Sequence, residues 1–273
     1  MFIFAEKKTK LMNKQITHKG AKIAYTITGK GEVLVLLHGF LEDLSMWDEF
    51  SVNLSATNKV IAVDLPGFGK SGMISNNHSM SLMADVVFNV LQTEEVSKCT
   101  IIGHSMGGYV ALAFANMYQT RLNSIVLFHS QAAEDDAETK NNRDRTIKIV
   151  ENNHGNFISS FIPLLFTDKN AVKFKKVIDN IVERAMLTKN EAIIAALAGM
   201  RDREDHLPLL SQLDIPVLFI AGKQDSRIPL NKIIKQIELP KISESLILDN
   251  VGHMGFIEAN ELTYNAIIRF VNR

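Results

Sequence analysis

From about residue 20 onward, short unbroken apolar runs alternate with longer stretches in which apolar residues recur every three or four positions. The runs are Val33-Leu34-Val35-Leu36-Leu37, Val60-Ile61-Ala62-Val63, Cys99-Thr100-Ile101-Ile102, Ser124-Ile125-Val126-Leu127-Phe128, Pro216-Val217-Leu218-Phe219-Ile220 and Leu246-Ile247-Leu248. A strand that is apolar on both faces has to be covered on both, so these runs specify a mostly parallel sheet between two helical layers. Ala21–Thr28 alternates instead, as an edge strand would, and Gly29-Lys30-Gly31 turns the chain behind it. Helical spacing marks residues 45–54, 80–95, 106–117, 229–237 and 261–271, the last with Asn260 positioned to cap it. The fold class is α/β.

Between 131 and 208 the alternation stops. Residues 131–145 are highly charged, and amphipathic helical patterns follow around 147–150, 157–166, 172–182 and 193–200 with no strand signal between them. Phe157, Phe161, Leu164, Leu165, Phe174 and Ile178 recur at helical spacing, as in a helical layer packed on itself and on the sheet. The expected division is a core of 1–130 and 209–273 interrupted by a helical segment at 131–208. Residues 1–18 read as a poorly ordered leader. Phe2-Ile3-Phe4-Ala5 is shorter than the ~7–15 apolar residues of a secretion signal, its lysines follow it, and Met12 offers a second start.

Composition mostly excludes. A chain of 273 residues, 46% hydrophobic and 22% charged, has an ordinary globular make-up and is long enough for one large domain. Thirty basic residues balance thirty acidic ones, so charge gives no case for nucleic acid or an anionic membrane as partner. No apolar run approaches the ~18 residues of a membrane helix. The single cysteine, Cys99, excludes an internal disulfide and suits a reducing, cytoplasmic setting; within a strand pattern it reads as a small buried hydrophobe. There is no His-Glu-x-x-His or similar ligand cluster, so the expectation is no metal, no cofactor and a small-molecule substrate.

The chemistry gathers at one edge. Every distinctive polar or glycine motif follows a strand, after residues 37, 63, 102, 220 and 248, and parallel sheets collect their chemistry at the carboxyl ends of strands. Gly103-His104-Ser105-Met106-Gly107 is short enough to arise by chance, so context decides. An apolar strand precedes it and an Ala-rich apolar helical stretch follows, which presents Ser105 as a nucleophile on a turn too tight for ordinary residues. A serine hydroxyl needs a base, a group that orients the base, and donors for the oxyanion it creates. Of eight histidines, His253, in the glycine-flanked loop after the last strand, is the base favoured by position. His104 points away from its neighbour and reads as packing. His129 ends a strand without marking itself as the base, and His18, His78, His154 and His206 fall in segments away from the strand ends. Asp225 follows its strand in the same way as His253 and is the favoured acid; Asp249, only four residues before His253, reads as shaping the turn.

Taken together, Leu37-His38-Gly39-Phe40, Asp64-Leu65-Pro66-Gly67-Phe68-Gly69-Lys70-Ser71, Gly103-His104-Ser105-Met106-Gly107-Gly108, Gly222-Lys223-Gln224-Asp225 and Gly252-His253 resemble the α/β-hydrolase superfamily, in its order of Ser, Asp and His. The resemblance implies a mostly parallel central sheet of about eight strands with helices on both faces, and a helical cap at 131–208. It also implies backbone oxyanion donors at Phe40 and Met106. The reaction implied is acyl transfer, with Ser105 attacking a carbonyl, His253 moving the proton and Asp225 holding the imidazole. An Asp nucleophile is what dehalogenase-like and epoxide-opening relatives use, and residue 105 is Ser. Trp47 with the His38 stretch is similar to a menaquinone-pathway synthase, but Tyr109 stands where that enzyme has Arg. The apolar cap residues, with Met200 and Phe161 as possible pocket walls, favour a small, mainly apolar ester, thioester or lactone; Arg201 and Arg203 read as solvated surface. Two other readings stay open: a carbon–carbon bond hydrolase, perhydrolase or lyase using the same site, and a small-molecule receptor with little turnover.

Overall fold

The computed structural model describes residues 11–273. Eight strands form one sheet: β1 (Met12–His18), β2 (Ala21–Thr28), β3 (Glu32–Leu37), β4 (Asn58–Val63), β5 (Cys99–His104), β6 (Leu122–Phe128), β7 (Val217–Gly222) and β8 (Ser243–Leu248), in the order β1-β2-β4-β3-β5-β6-β7-β8. The pairings β1–β2 and β2–β4 are antiparallel and every later pairing is parallel. Every residue of β5 and β7 is buried, which is why their sequences read as continuous apolar runs.

Three helices belong to the first half: α1 (Asp48–Leu54), α2 (Met80–Thr93) and α3 (Met106–Tyr118). Five lie between β6 and β7, namely α4 (Ala137–Phe161), α5 (Asp168–Lys173), α6 (Lys175–Ala185), α7 (Asn190–Arg201) and α8 (Leu207–Gln212), with no strand among them. Then follow α9 (Leu230–Ile237), α10 (Gly255–Glu258) and α11 (Asn260–Val271). The charged stretch from 137 is the first part of α4, which the Asp136 carboxylate caps by accepting from Thr139 N. The helix breaks at Asn153, whose backbone is non-helical and whose side chain accepts from Asn156 N, so that its second half starts on a fresh cap.

Three expectations are corrected. Residues 12–18 are an edge strand and not a leader; the strand is mostly exposed, so its sequence carries no apolar period, while residues 1–10 lie outside the described residues. β2 is consequently an inner strand, flanked by β1 and β4. Asn260 is the first residue of α11 and no cap for it: its amide donates back to Phe256 O in α10. Among the described residues no helix is long and apolar enough to cross a membrane.

Candidate active site

The turn from β5 into α3 holds Ser105 at φ +49°, ψ −114°, a left-handed backbone that costs a side-chain-bearing residue about 1–3 kcal/mol. Neighbouring strands and loops fix it there. Ser105 N donates to Phe128 O at 2.9 Å, and Ser130 Oγ donates to Ser105 O at 2.8 Å. Close approach explains two of the glycines: a Cβ on Gly103 would lie 2.3 Å from Gly107 O, and one on Gly107 would lie 2.4 Å from Leu37 O. Both clashes are with backbone. Gly107→Ala, normally a gain of about 0.5–1 kcal/mol in a helix, is therefore expected to destabilise by about 1–3 kcal/mol. Urea denaturation reads this directly, and an unchanged midpoint would mean that α3 does not press on β3.

His253 and Asp225 come to Ser105 from the loops after β8 and β7. His253 Nδ1 lies 2.8 Å from Asp225 Oδ2, and His253 Nε2 lies 2.9 Å from Ser105 Oγ. A carboxylate only accepts, so Nδ1–H donates to Asp225 and Nε2 is left to accept the serine proton. Asp225 is held in turn: Oδ1 accepts from the N–H groups of Arg227 and Ile228 at 2.8 and 2.9 Å, and Oδ2 also accepts from His129 Nδ1 at 3.0 Å. Burial alone would raise its pKa, but the charge of His253 and the His129 and His253 hydrogen bonds outweigh it and hold the carboxyl far below the usual range. Burial pushes His129 down to about 4, so it stays neutral as a donor. The main rival, Asp249, points away and pairs with Lys223 at 2.6 Å with both side chains exposed.

His129, Asp225 and His253 are also the one group of potential metal ligands gathered within 4.8 Å among the described residues. Their ligand atoms are already bonded to one another at 2.8 and 3.0 Å, so an ion would have to break those bonds to enter. Cys99 is a buried thiol pushed up to about 12 by that burial, an inert small hydrophobe.

His104 is not mere packing. Its Nδ1 lies 2.9 Å from Glu42 Oε2 and its Nε2 lies 2.9 Å from the backbone oxygen of His253. Both partners accept, so both ring nitrogens carry protons. Burial disfavours the charge, but Glu42 outweighs burial and raises the pKa. Glu42, its carboxyl lowered by His104 against its own burial, also accepts from Gly39 N. One buried ion pair thus ties the loop carrying Phe40 to the loop carrying His253. Phe40 follows Gly39 in that loop, and Met106, as the first residue of α3, has an N–H that no helical carbonyl can satisfy. Nothing in the run Leu41-Glu42-Asp43 signals this role, because the partner is 62 residues away.

Ser105 opens on a cavity of about 410 Å³. A larger hollow of about 910 Å³, between β1, β2 and the helices near Arg184, includes neither Ser105 nor His253. The smaller cavity has Phe40, Tyr109, Phe161 and Met200 in its wall, together with Arg143 and Arg227, which the sequence pattern does not single out. Arg203 is not surface: it is buried, pairs with Asp135, donates to Ala133 O and lies 4.2 Å over the Tyr109 ring. Arg201 is half-buried, paired with Asp144 and Asp202, and takes no part in the cavity wall.

The sequence pattern of the alpha/beta hydrolase fold family matches residues 32–260. An esterase from Thermogutta terrifontis, solved with malate bound, superposes with a TM-score of 0.89 at 30% identity, over 96% of this chain and 98% of that one. A 2-hydroxy-6-oxononadienedioate/2-hydroxy-6-oxononatrienedioate hydrolase from Burkholderia vietnamiensis is 27% identical over 286 residues, covering 92% of this chain and 91% of that protein. The dihydrolipoyllysine-residue acetyltransferase component of the acetoin cleaving system of Pseudomonas putida is 30% identical over 247 residues. That match takes in 89% of this chain but spans only 64% of the relative's length. With the family pattern running from β3 through α10, and with the sheet order and the β5–α3 turn built as described, the chain belongs to the alpha/beta hydrolase fold family.

Proposed function

We propose that the protein is a serine hydrolase that cleaves a small ester, thioester or lactone through an acyl-enzyme. The observation that carries this reading is the unbroken chain of short contacts from Asp225 through His253 to Ser105 Oγ, at 2.8 and 2.9 Å. Ser105 Oγ attacks the carbonyl carbon while His253 Nε2 takes its proton, and the carbonyl oxygen becomes an oxyanion facing the N–H groups of Phe40 and Met106. The start of α3 adds its dipole at that point. His253 then protonates the leaving alcohol, thiol or ring oxygen as the carbon–heteroatom bond breaks. Water then attacks the acyl carbon and gives a proton to the same nitrogen, which passes it to Ser105 Oγ as the acyl–oxygen bond breaks and the acid leaves.

A fluorophosphonate reagent tests the reading, since it bonds only to an activated serine. The expected result is one adduct on the peptide containing Ser105, lost when His253 is replaced by alanine. Full activity with no adduct would sink the assignment. A second reading, carbon–carbon bond hydrolysis, is favoured by the Burkholderia vietnamiensis relative, whose named substrates contain no ester group. Turnover of a 2-hydroxy-6-oxo diacid without turnover of any ester in a panel would select it.

A further inference from the structure

The cavity over Ser105 has two unlike parts. Phe40, Phe157 and Phe161 pack edge-to-face and tilted against one another to form an apolar part. Thr139, Asn142, Arg143 and Thr146 of α4, spaced at three, four and seven residues, present one polar helix face to the same space. Arg227, two residues beyond Asp225, lines it as well.

Charge within this site is unbalanced. Arg143 and Arg203 share the single carboxylate of Asp135, so two positive charges meet one negative and one positive remains. Arg203, with 3% of its side chain exposed, is fully engaged by Asp135, Ala133 O and Met200 O; Arg143, with 18% exposed, is the one that reaches the cavity. Arg227 has no carboxylate or carbonyl bonded to its guanidinium among the described residues. The charge nearest to it, Asp225, is already satisfied by four donors. Glu42 is neutralised by His104. Burial lowers the pKa of Arg227 and the nearby Asp225 charge offsets this only in part, so the guanidinium is a partly desolvated cation with no carboxylate bonded to its N–H groups. The guanidinium carbon lies 4.5 Å from the Phe161 ring centroid, a cation–π contact that takes up none of its N–H groups in hydrogen bonds.

We propose that the cavity binds esters bearing a carboxylate on the portion away from the scissile bond, with Arg227 as a forked grip and Arg143 as the second cation. This rests on the ester reading above and sharpens it: the bond to be cut lies at Ser105, and the anion lies against the arginines. A substrate of this kind is amphipathic, with a short apolar spacer along the Phe40–Phe161 side.

Matched substrates test it. Monomethyl succinate, glutarate and adipate are compared with methyl butyrate, pentanoate and hexanoate by proton release, for wild type, Arg227→Met, Arg227→Lys and Arg143→Met. Neither methionine variant removes the last bonded partner of a buried carboxylate: Asp225 keeps its four donors, and without Arg143 the Asp135 carboxylate still pairs with Arg203. The expected result is a wild-type kcat/KM that favours at least one anionic ester over its neutral match. That preference should fall about ten- to a hundredfold in Arg227→Met, less in Arg143→Met, and recover in part in Arg227→Lys. A wild-type preference for every neutral ester, or a preference unmoved by both methionine variants, overturns the proposal. Calorimetric titration of monomethyl adipate into Ser105→Ala, with and without Arg227→Met, reads the grip apart from turnover. Affinity that depends on Arg227 in a protein that cleaves no ester would sink the ester reading alone, and absence of any binding would sink the grip.

Discussion

Replacing Ser105 by alanine is expected to lower kcat on a short-chain p-nitrophenyl ester by roughly 10⁴-fold or more. That is about 5.5 kcal/mol of barrier. The size follows from what is removed. On the reading proposed, no acyl-enzyme forms without the hydroxyl, and His253, still held by Asp225, has no serine proton to take. The Phe40 and Met106 amides, the proposed oxyanion donors, remain, so residual catalysis by oxyanion binding sets the floor rather than zero. Stability should change little, because Ser105 is half-buried, alanine keeps the bonded backbone N–H and C=O, and only the Oγ contact with His253 is lost. Loss of rate without loss of fold therefore separates a nucleophile from a structural serine. Equal rates for the two proteins would mean that ester cleavage, if observed, occurs elsewhere, and would return the molecule to the receptor reading.

The meeting of Ser105, His253 and Asp225 is legible in the sequence because each follows a strand that an apolar run marks, and such runs show where strands end. The sheet is legible for the same reason, apart from β1. Exposure leaves Met12–His18 free of the pattern that burial imposes on β3 to β7. Three features of the site are not legible, and each depends on contacts across the fold. Glu42 sits in an acidic run that looks like surface until His104 is brought against it from β5. Arg143 and Arg203 are separated by 60 positions and become one cluster only through Asp135. His129 follows β6 without a motif, and from a backbone at φ +49° its Nδ1 lies within hydrogen-bond reach of Asp225. The polar face of α4 likewise shows only once the helix is docked, which is why the apolar composition of the segment misses it.

Replacing Glu42 by alanine is expected to cost about 3–5 kcal/mol of stability, the penalty for leaving one member of a buried ion pair uncompensated. Glu42 and His104 have 5% and 1% of their side chains exposed, so water cannot take over the lost contacts. The pH dependence identifies the pair as the source. His104 is raised on folding, so its share of stability is fully present below its ordinary 6.5 and disappears as pH rises through the higher folded value. Glu42 is lowered, so its share is fully present above its ordinary 4.5 and disappears as pH falls through the lower folded value. The gap between wild type and variant should therefore be widest between about pH 4.5 and 6.5 and narrow on either side. Glu42→Gln, which can still accept from Gly39 N and can donate to a neutral His104, should cost less and should flatten this profile. Activity follows from the same geometry. His104 Nε2 holds the His253 carbonyl and Glu42 holds the Gly39 amide, so slackening the pair moves both the proposed base and the proposed Phe40 donor. The fall should lie in kcat more than in KM, because the displaced groups act on the transition state while the cavity walls remain. A gap between the proteins that does not vary with pH would show that the two groups are not charged in the folded state.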